Sequence, residues 1–206
     1  MTDCTDQELV ARLKKFDAAA FDEVFERYRA RLYGFLVRLS GRRDVAEDLL
    51  QETWIRLATR VSTLRDEARL GPWLFAVARH LYCSHRRSKC LSAQRILEYS
   101  RLRIRVEAPA SPFDSVLGDE VEKRIEQALA SLPLHYRDVL LLVAVEGMTP
   151  SEAAAVCDLD PATLRKRLSR AREMMATKIR KLPLVPDAGK EPAFVAGNPG
   201  EKGVVT

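Results

Sequence analysis

The chain has 206 residues, 47% of them hydrophobic, 31% charged and only 7% aromatic, with a formal net charge of +5 and a pI near 9.1. This length holds one or two domains with real cores; no apolar run is long enough to span a bilayer, and Met1–Asp6 lacks the basic-then-apolar pattern of a signal peptide. The expectation is therefore a cytoplasmic protein with no membrane insertion, and the positive balance points to a polyanionic partner.

Low glycine and abundant helix formers predict an all-α fold. Charge is unevenly spread: residues 73–106 and 161–181 are basic, and residues 107–126 between them are acidic. The four cysteines, Cys4, Cys83, Cys90 and Cys157, form no CxxC pair and read as reduced thiols. His80, Cys83, His85 and Cys90 are zinc-ligand residue types. On a helix, however, His80 and Cys83 share a face that His85 leaves, so the expectation is no metal and no cofactor. A redox or metal role for Cys83, Cys90 and His80 is left open by the sequence.

In chain order, Thr5 and Asp6 cap a short helix to about Lys15, and Asp17 starts a longer one. Its apolar residues Phe21, Val24, Phe25, Tyr28, Leu32, Phe35, Leu36 and Leu39 recur at helical spacing, and Gly41 ends it. From Asp44 a third helix has two unlike faces. Ala46, Leu49, Leu50, Thr53 and Leu57 lie on one side; Asp44, Asp48, Gln51, Glu52 and Ile55 lie on the other. An acidic face with an apolar residue in it, on a basic molecule, is either plainly solvated or a docking face for a basic partner.

Val61–Leu70 reads as a polar loop. Gly71-Pro72 then opens a helix, apolar at Trp73–Tyr82 and basic by Arg86-Arg87-Ser88-Lys89. Rings beside cations suit unpaired nucleic acid, where stacking contributes about 1–3 kcal/mol per base. Phe75 is expected to be buried; for Trp73 the residues support burial and stacking equally. Residues 91–117 read as a linker with Pro109 and Pro112 in it. Val121, Ile125, Leu129 and Leu132 then space as an amphipathic helix, followed by a helix from Leu134 to Val145 closed by Gly147. After Leu182, Pro and Gly recur, and residues 183–206 are expected to be disordered.

The most informative stretch is Thr149–Arg172. Thr149 and Glu152 form a capping box with Pro150 between them. Asp160 and Pro161 open a second helix after a turn of about three residues, the length found in a helix-turn-helix. In that second helix Leu164, Leu168, Ala171, Met175, Ile179 and Leu182 make an apolar stripe. Ala162, Lys166, Ser169 and Glu173, flanked by Thr163, Arg165 and Arg170, face away. Basic and small residues over its first turns suit a major-groove reader better than an ordinary solvated face.

Together these segments resemble a known family. Asp44–Trp54 resembles the region 2 helix of bacterial sigma-70 factors, and Gly71–Arg79 the promoter-melting segment after it. Leu129–Leu140 with the helix-turn-helix resembles region 4. With only these two blocks and a short linker, the layout is that of the extracytoplasmic-function (ECF) class. The resemblance implies two small helical domains: region 2 at residues 5–90, a linker at 91–117 and region 4 at 118–182.

It implies no catalysis. It implies binding to core RNA polymerase, through the β′ clamp coiled coil and the β subunit, and to promoter DNA. It also implies regulation by an anti-sigma factor. By resemblance Asp44, Asp48, Gln51, Glu52 and Ile55 would dock on the clamp. Arg65, Trp73, Arg79, His80, Arg86 and Arg87 would hold the unpaired −10 strand. Thr163, Arg165, Lys166, Ser169 and Arg170 would read the −35 duplex. Three departures stand out: His80 replaces the usual Asn, Ser84 the usual Asp, and Asp158 the usual turn Gly. The alternative from the residues alone is a helix-turn-helix regulator that acts without docking on polymerase. No Ser/His/Asp set or phosphate loop supports an enzyme.

Overall fold

The computed structural model describes residues 4–65, 68–99 and 120–181, with side chains described throughout except at 91–99, 120, 121 and 181. The predicted tail and most of the predicted linker lie outside them. Among the described residues there is no strand, and the all-α expectation holds.

The N-terminal domain begins with α1 (Asp6–Leu13), whose capping box is complete: Thr5 N donates to Glu8 at 2.9 Å, and Glu8 N donates to Thr5 Oγ1 at 3.3 Å. Asp17 caps α2 (Ala18–Ser40) by accepting from Ala19 N at 3.0 Å and Ala20 N at 3.4 Å. Gly41, at φ 68°, ends α2 in the left-handed conformation that glycine adopts without steric cost. Helices α3 (Arg43–Arg60) and α4 (Leu70–Tyr99) complete the domain. Leu32, Phe35 and Leu36 of α2, Ala46 and Leu57 of α3, and Leu70, Leu74, Phe75 and Ala78 of α4 are fully buried together. Phe35 and Phe75 meet edge to face with centroids 5.2 Å apart. A Cβ on Gly71 would come within 3.3 Å of Tyr28 Oη, so glycine is what lets α4 approach α2 this closely.

Two expectations for this domain change. Val61–Leu70 is not simply a polar loop: a short 3₁₀ turn at Val61–Thr63 buries Val61 and Leu64, and α4 already starts at Leu70, whose N–H donates to Asp6 Oδ2 at 2.9 Å. At its other end α4 continues past residue 90 to Tyr99. Residues 91–98 contain no Gly or Pro and are mostly good helix formers, so nothing in them stops the helix.

The C-terminal domain comprises α5 (Glu120–Ala130), α6 (Leu134–Leu140), α7 (Pro150–Cys157) and α8 (Pro161–Lys181). Between α6 and α7 the predicted continuous helix becomes a π-helical turn at Leu141–Val145, where Glu146 N donates to Leu141 O at 2.9 Å. The wider turn accommodates a run of consecutive buried residues, Val139 to Leu142, that an ordinary helix would distribute around its circumference. In α5 the expected stripe is only half right: Leu129 and Leu132 are buried, but Ile125 is 42% exposed and Glu126 is turned inward. Val121 and Leu182 lie outside the described side chains. In α8, Leu164, Leu168 and Ala171 are buried, Met175 partly so, and Ile179 is exposed.

The two domains pack directly, chiefly α4 against α7 and α2 against α5 and α6. Four arginines of the N-terminal domain meet four carboxylates of the C-terminal domain. Arg79 Nε donates to Asp138 Oδ2 at 2.8 Å, Arg38 Nε to Glu126 Oε1 at 2.7 Å and Arg31 Nε to Glu146 Oε2 at 3.0 Å; Arg69 pairs with Glu152. Arg137 reverses the direction. It donates to the carbonyls of Arg38 at 3.3 Å and Leu39 at 3.2 Å, at the negative end of the α2 dipole.

Candidate functional site

The acidic face of α3 is built by simple amphipathicity. Val45, Ala46, Leu49, Thr53 and Leu57 go into the core, which leaves Asp44, Asp48, Gln51 and Ile55 exposed and Glu52 half-buried on the far side. Ile55 is 49% exposed, a large apolar side chain among carboxylates. Two acids have local partners. Arg42 Nε donates to Asp44 Oδ1 at 3.0 Å, and this bond, aided by the Val45 N–H, holds the Asp44 carboxyl down at about 2. Arg56 Nε donates to Glu52 at 2.9 Å. Asp48 and Gln51 have no hydrogen-bond or ion-pair partner among the described residues.

The basic surface follows α4. Arg65 in the preceding loop and His80, Arg86 and Arg87 on the helix are exposed. Trp73 is half-buried against the core, and Phe75 is fully buried as expected. Arg79 differs from the rest. It is 19% exposed and tied to Asp138, itself 1% exposed. Burial works against the Arg79 charge, but Asp138 beside it outweighs that and raises the pKa. The six residues therefore do not form one open surface: Arg65, His80, Arg86 and Arg87 are exposed, Trp73 is half-buried, and Arg79 is drawn into the seam between domains.

The helix-turn-helix is built as its caps predict. Thr149 N donates to Glu152 at 2.9 Å and Glu152 N to Thr149 Oγ1 at 3.3 Å. Asp158 takes the left-handed conformation at φ 55°, which Asp tolerates better than most residues, so the turn survives the loss of glycine. Asp160 Oδ1 accepts from Thr163 N at 2.8 Å and opens α8. Arg165, Lys166, Ser169 and Arg170 are exposed along one side of α8, and Thr163 is half-buried at its start.

The cysteine and histidine cluster does not assemble. Among the described residues, no three His, Cys, Asp or Glu side chains converge as metal ligands. Burial, reinforced by Asp138, pushes the Cys157 thiol up to about 12, so it stays protonated and unreactive at neutral pH.

Residues 24–90 match the family described as Sigma-70 region 2, and residues 122–175 match Sigma-70, region 4, together more than half of the chain. The chain belongs to the sigma-70 family of RNA polymerase sigma factors. It is 28% identical over 185 residues to the ECF RNA polymerase sigma-E factor of Haemophilus influenzae, covering 86% of this chain and 97% of that one. It is 30% identical over 152 residues to the ECF RNA polymerase sigma factor EcfG of Rhodopseudomonas palustris, covering 70% and 77%. Among solved structures it resembles the sigma factor RpoE of Bartonella quintana, crystallised with the anti-sigma factor NepR, with a TM-score of 0.64 at 24% identity, covering 79% of this chain and 98% of that one.

This sigma factor is of the ECF class; it binds core RNA polymerase and promoter DNA and directs promoter-specific initiation. Among its described residues, no helix is long and apolar enough to cross a membrane.

The seam residues Arg31, Arg38, Glu126 and Glu146 were not singled out by the sequence. No local signal marks them, because each pairs with a residue of the other domain.

Proposed function

We propose a division of labour among three surfaces of this sigma factor. The exposed face of α3, with Asp44, Asp48, Gln51, Glu52 and Ile55, docks on the β′ clamp coiled coil of polymerase. Carboxylates around one apolar side chain steer and orient a basic partner, and Ile55 supplies a contact that salt does not screen. Arg65, Trp73, Arg79, His80, Arg86 and Arg87 hold the unpaired −10 strand. Opening the duplex costs about 1.4 kcal/mol of stacking per step, and a captured base restores part of it through contact with a ring and cations on the phosphates. Thr163, Arg165, Lys166, Ser169 and Arg170 read the −35 duplex, where a rigid helix serves because no strand need open. The protein acts in the cytoplasm and contributes no catalysis of its own. An anti-sigma factor holds it inactive by covering the polymerase-binding surface.

The observation that carries this reading is the exposure of Asp48, Gln51 and Ile55 on α3, where Asp48 and Gln51 make no hydrogen bond or ion pair among the described residues. Asp48→Arg with Glu52→Arg is the test, by capture on immobilised core polymerase. Loss of capture with unchanged helicity supports docking through α3; undiminished capture overturns it and puts the polymerase contact elsewhere on the chain.

A further inference from the structure

We propose that the exposed face of α3 also receives a second copy of this chain, packed antiparallel across a twofold axis, so that free sigma factor covers its own docking surface. The dimer stands on the geometry below; only its effect on polymerase rests on the α3 docking reading made above.

Phe16 holds a place that folding alone does not account for. Helix α1 ends in a Schellman turn, with Asp17 N donating to Arg12 O at 3.2 Å and Phe16 N to Leu13 O at 2.9 Å. Phe16 takes the left-handed position of that turn at φ 58°, where glycine is the usual residue and a bulky side chain is strained. It is also 81% exposed. Strain and exposure both cost stability and return little within a single molecule.

The ring forms one wall of an apolar cleft of about 150 Å³, lined chiefly by Leu13, Phe16, Phe21, Leu57, Ala58 and Val61. An apolar cavity of about this size takes a benzene-sized group. Ala58 is exposed, so the cleft opens on the same surface as Ile55, one turn earlier on α3. Phe16 and Ile55 are the two large exposed hydrophobics among the described residues of the N-terminal domain. Knob and hole thus lie side by side on one face, as an isologous contact requires.

Charge selects the occupant. The exposed acids Asp44, Glu47 and Asp48 lie towards the N-terminal end of α3. Arg60 lies at its C-terminal end and Lys15 precedes Phe16 in the turn, and both are exposed. Two copies of α3 packed parallel would set acid against acid. Packed antiparallel about an axis between Ile55 and Ala58, each Ile55 enters the other copy's cleft and each acidic end meets the other copy's Arg60 and Lys15. A wholly basic partner matches the acidic end alone. The contact, one helix and one turn, is small, so the dimer is weak and depends on concentration.

Sedimentation equilibrium of the full chain from about 1 to 200 μM covers the range of a weak contact. The unmodified chain should pass from monomer to dimer across it. Phe16→Gly removes a wall of the cleft yet suits the left-handed turn, so it should keep its thermal midpoint and dimerise at least about tenfold more weakly. Arg60→Glu should also weaken the dimer, and adding Asp48→Arg to it should restore it, because both ends are then reversed. Core polymerase added in equal amount to the unmodified dimer should take one chain each and leave no dimer. A chain that stays monomeric throughout, a Phe16→Gly variant that dimerises undiminished, or a doubly reversed variant that stays monomeric overturns the proposal. Two chains on one polymerase overturn it as well, and so does weaker capture of Phe16→Gly, which gives the cleft to polymerase instead. The masses are read without polymerase, so failure of the α3 docking reading is distinguishable from failure of the dimer.

Discussion

Arg79 of α4 and Asp138 of α6, 59 residues apart in sequence, are joined at 2.8 Å with the carboxylate 1% exposed. Asp138 also accepts from the Val139 N–H at 2.8 Å through its other oxygen. Both oxygens are thus engaged, which is the condition for a buried carboxylate to be tolerated.

Replacing Asp138 with Ala removes both acceptors and leaves a largely buried guanidinium unpaired. We expect a loss of about 1.5–3 kcal/mol, read as a lower urea midpoint. Arg79→Lys should recover only part of the pairing, because an ammonium lacks the planar fork that aligns guanidinium with carboxylate.

On α8, Arg165→Ala and Lys166→Ala should weaken duplex promoter binding without altering helicity, since both side chains are exposed. Loss of a bidentate base contact costs about 1–3 kcal/mol against the preferred sequence. Binding isotherms on matched and scrambled duplexes read the difference. A loss confined to the matched duplex marks a base contact, and an equal loss on both marks a phosphate contact.

The caps of the helix-turn-helix give it an acid limit. Thr163 hydrogen bonds hold Asp160 below its ordinary value, and Thr149 hydrogen bonds hold Glu152 below its own despite the opposing effect of burial. At acid pH the unfolded chain therefore binds protons more readily than the folded one. The caps' stabilisation is full above the ordinary carboxylate range, about pH 4, and is lost as pH falls through the folded values. Glu146 runs the other way: burial outweighs Arg31 and raises its value, so protonation relieves a cost there. Thermal unfolding followed by circular dichroism from pH 7 to 3 should show a falling midpoint that Asp160→Asn makes less steep.

What could be read from the sequence was local. The caps Thr5, Asp17, Thr149 and Asp160 declare themselves within three residues of the groups they bind, and the structure shows each of them. The two faces of α3 separate because helical period alone decides which residues reach the core. The seam was not legible, because its partners are distant: Arg38 and Glu126 are 88 residues apart, Arg31 and Glu146 115. An arginine paired across domains and one solvated on a surface look identical in sequence, so nothing in the residues set Arg79 apart from the others that the family resemblance assigned to the −10 strand. Ile125 and Glu126 exchanged their expected places for the same reason, since Arg38 makes burial of the carboxylate tolerable. The π-helical turn was missed because a continuous Leu/Val run carries no period.

The central claim is that this chain, docked through α3, selects where polymerase starts. Run-off transcription with core polymerase on a pool of genomic promoter fragments tests it most directly. The account predicts discrete transcripts from a small set of fragments with the unmodified chain, and none with Asp48→Arg and Glu52→Arg. Transcripts that are unchanged by adding the chain, or that persist with the double variant, would contradict it.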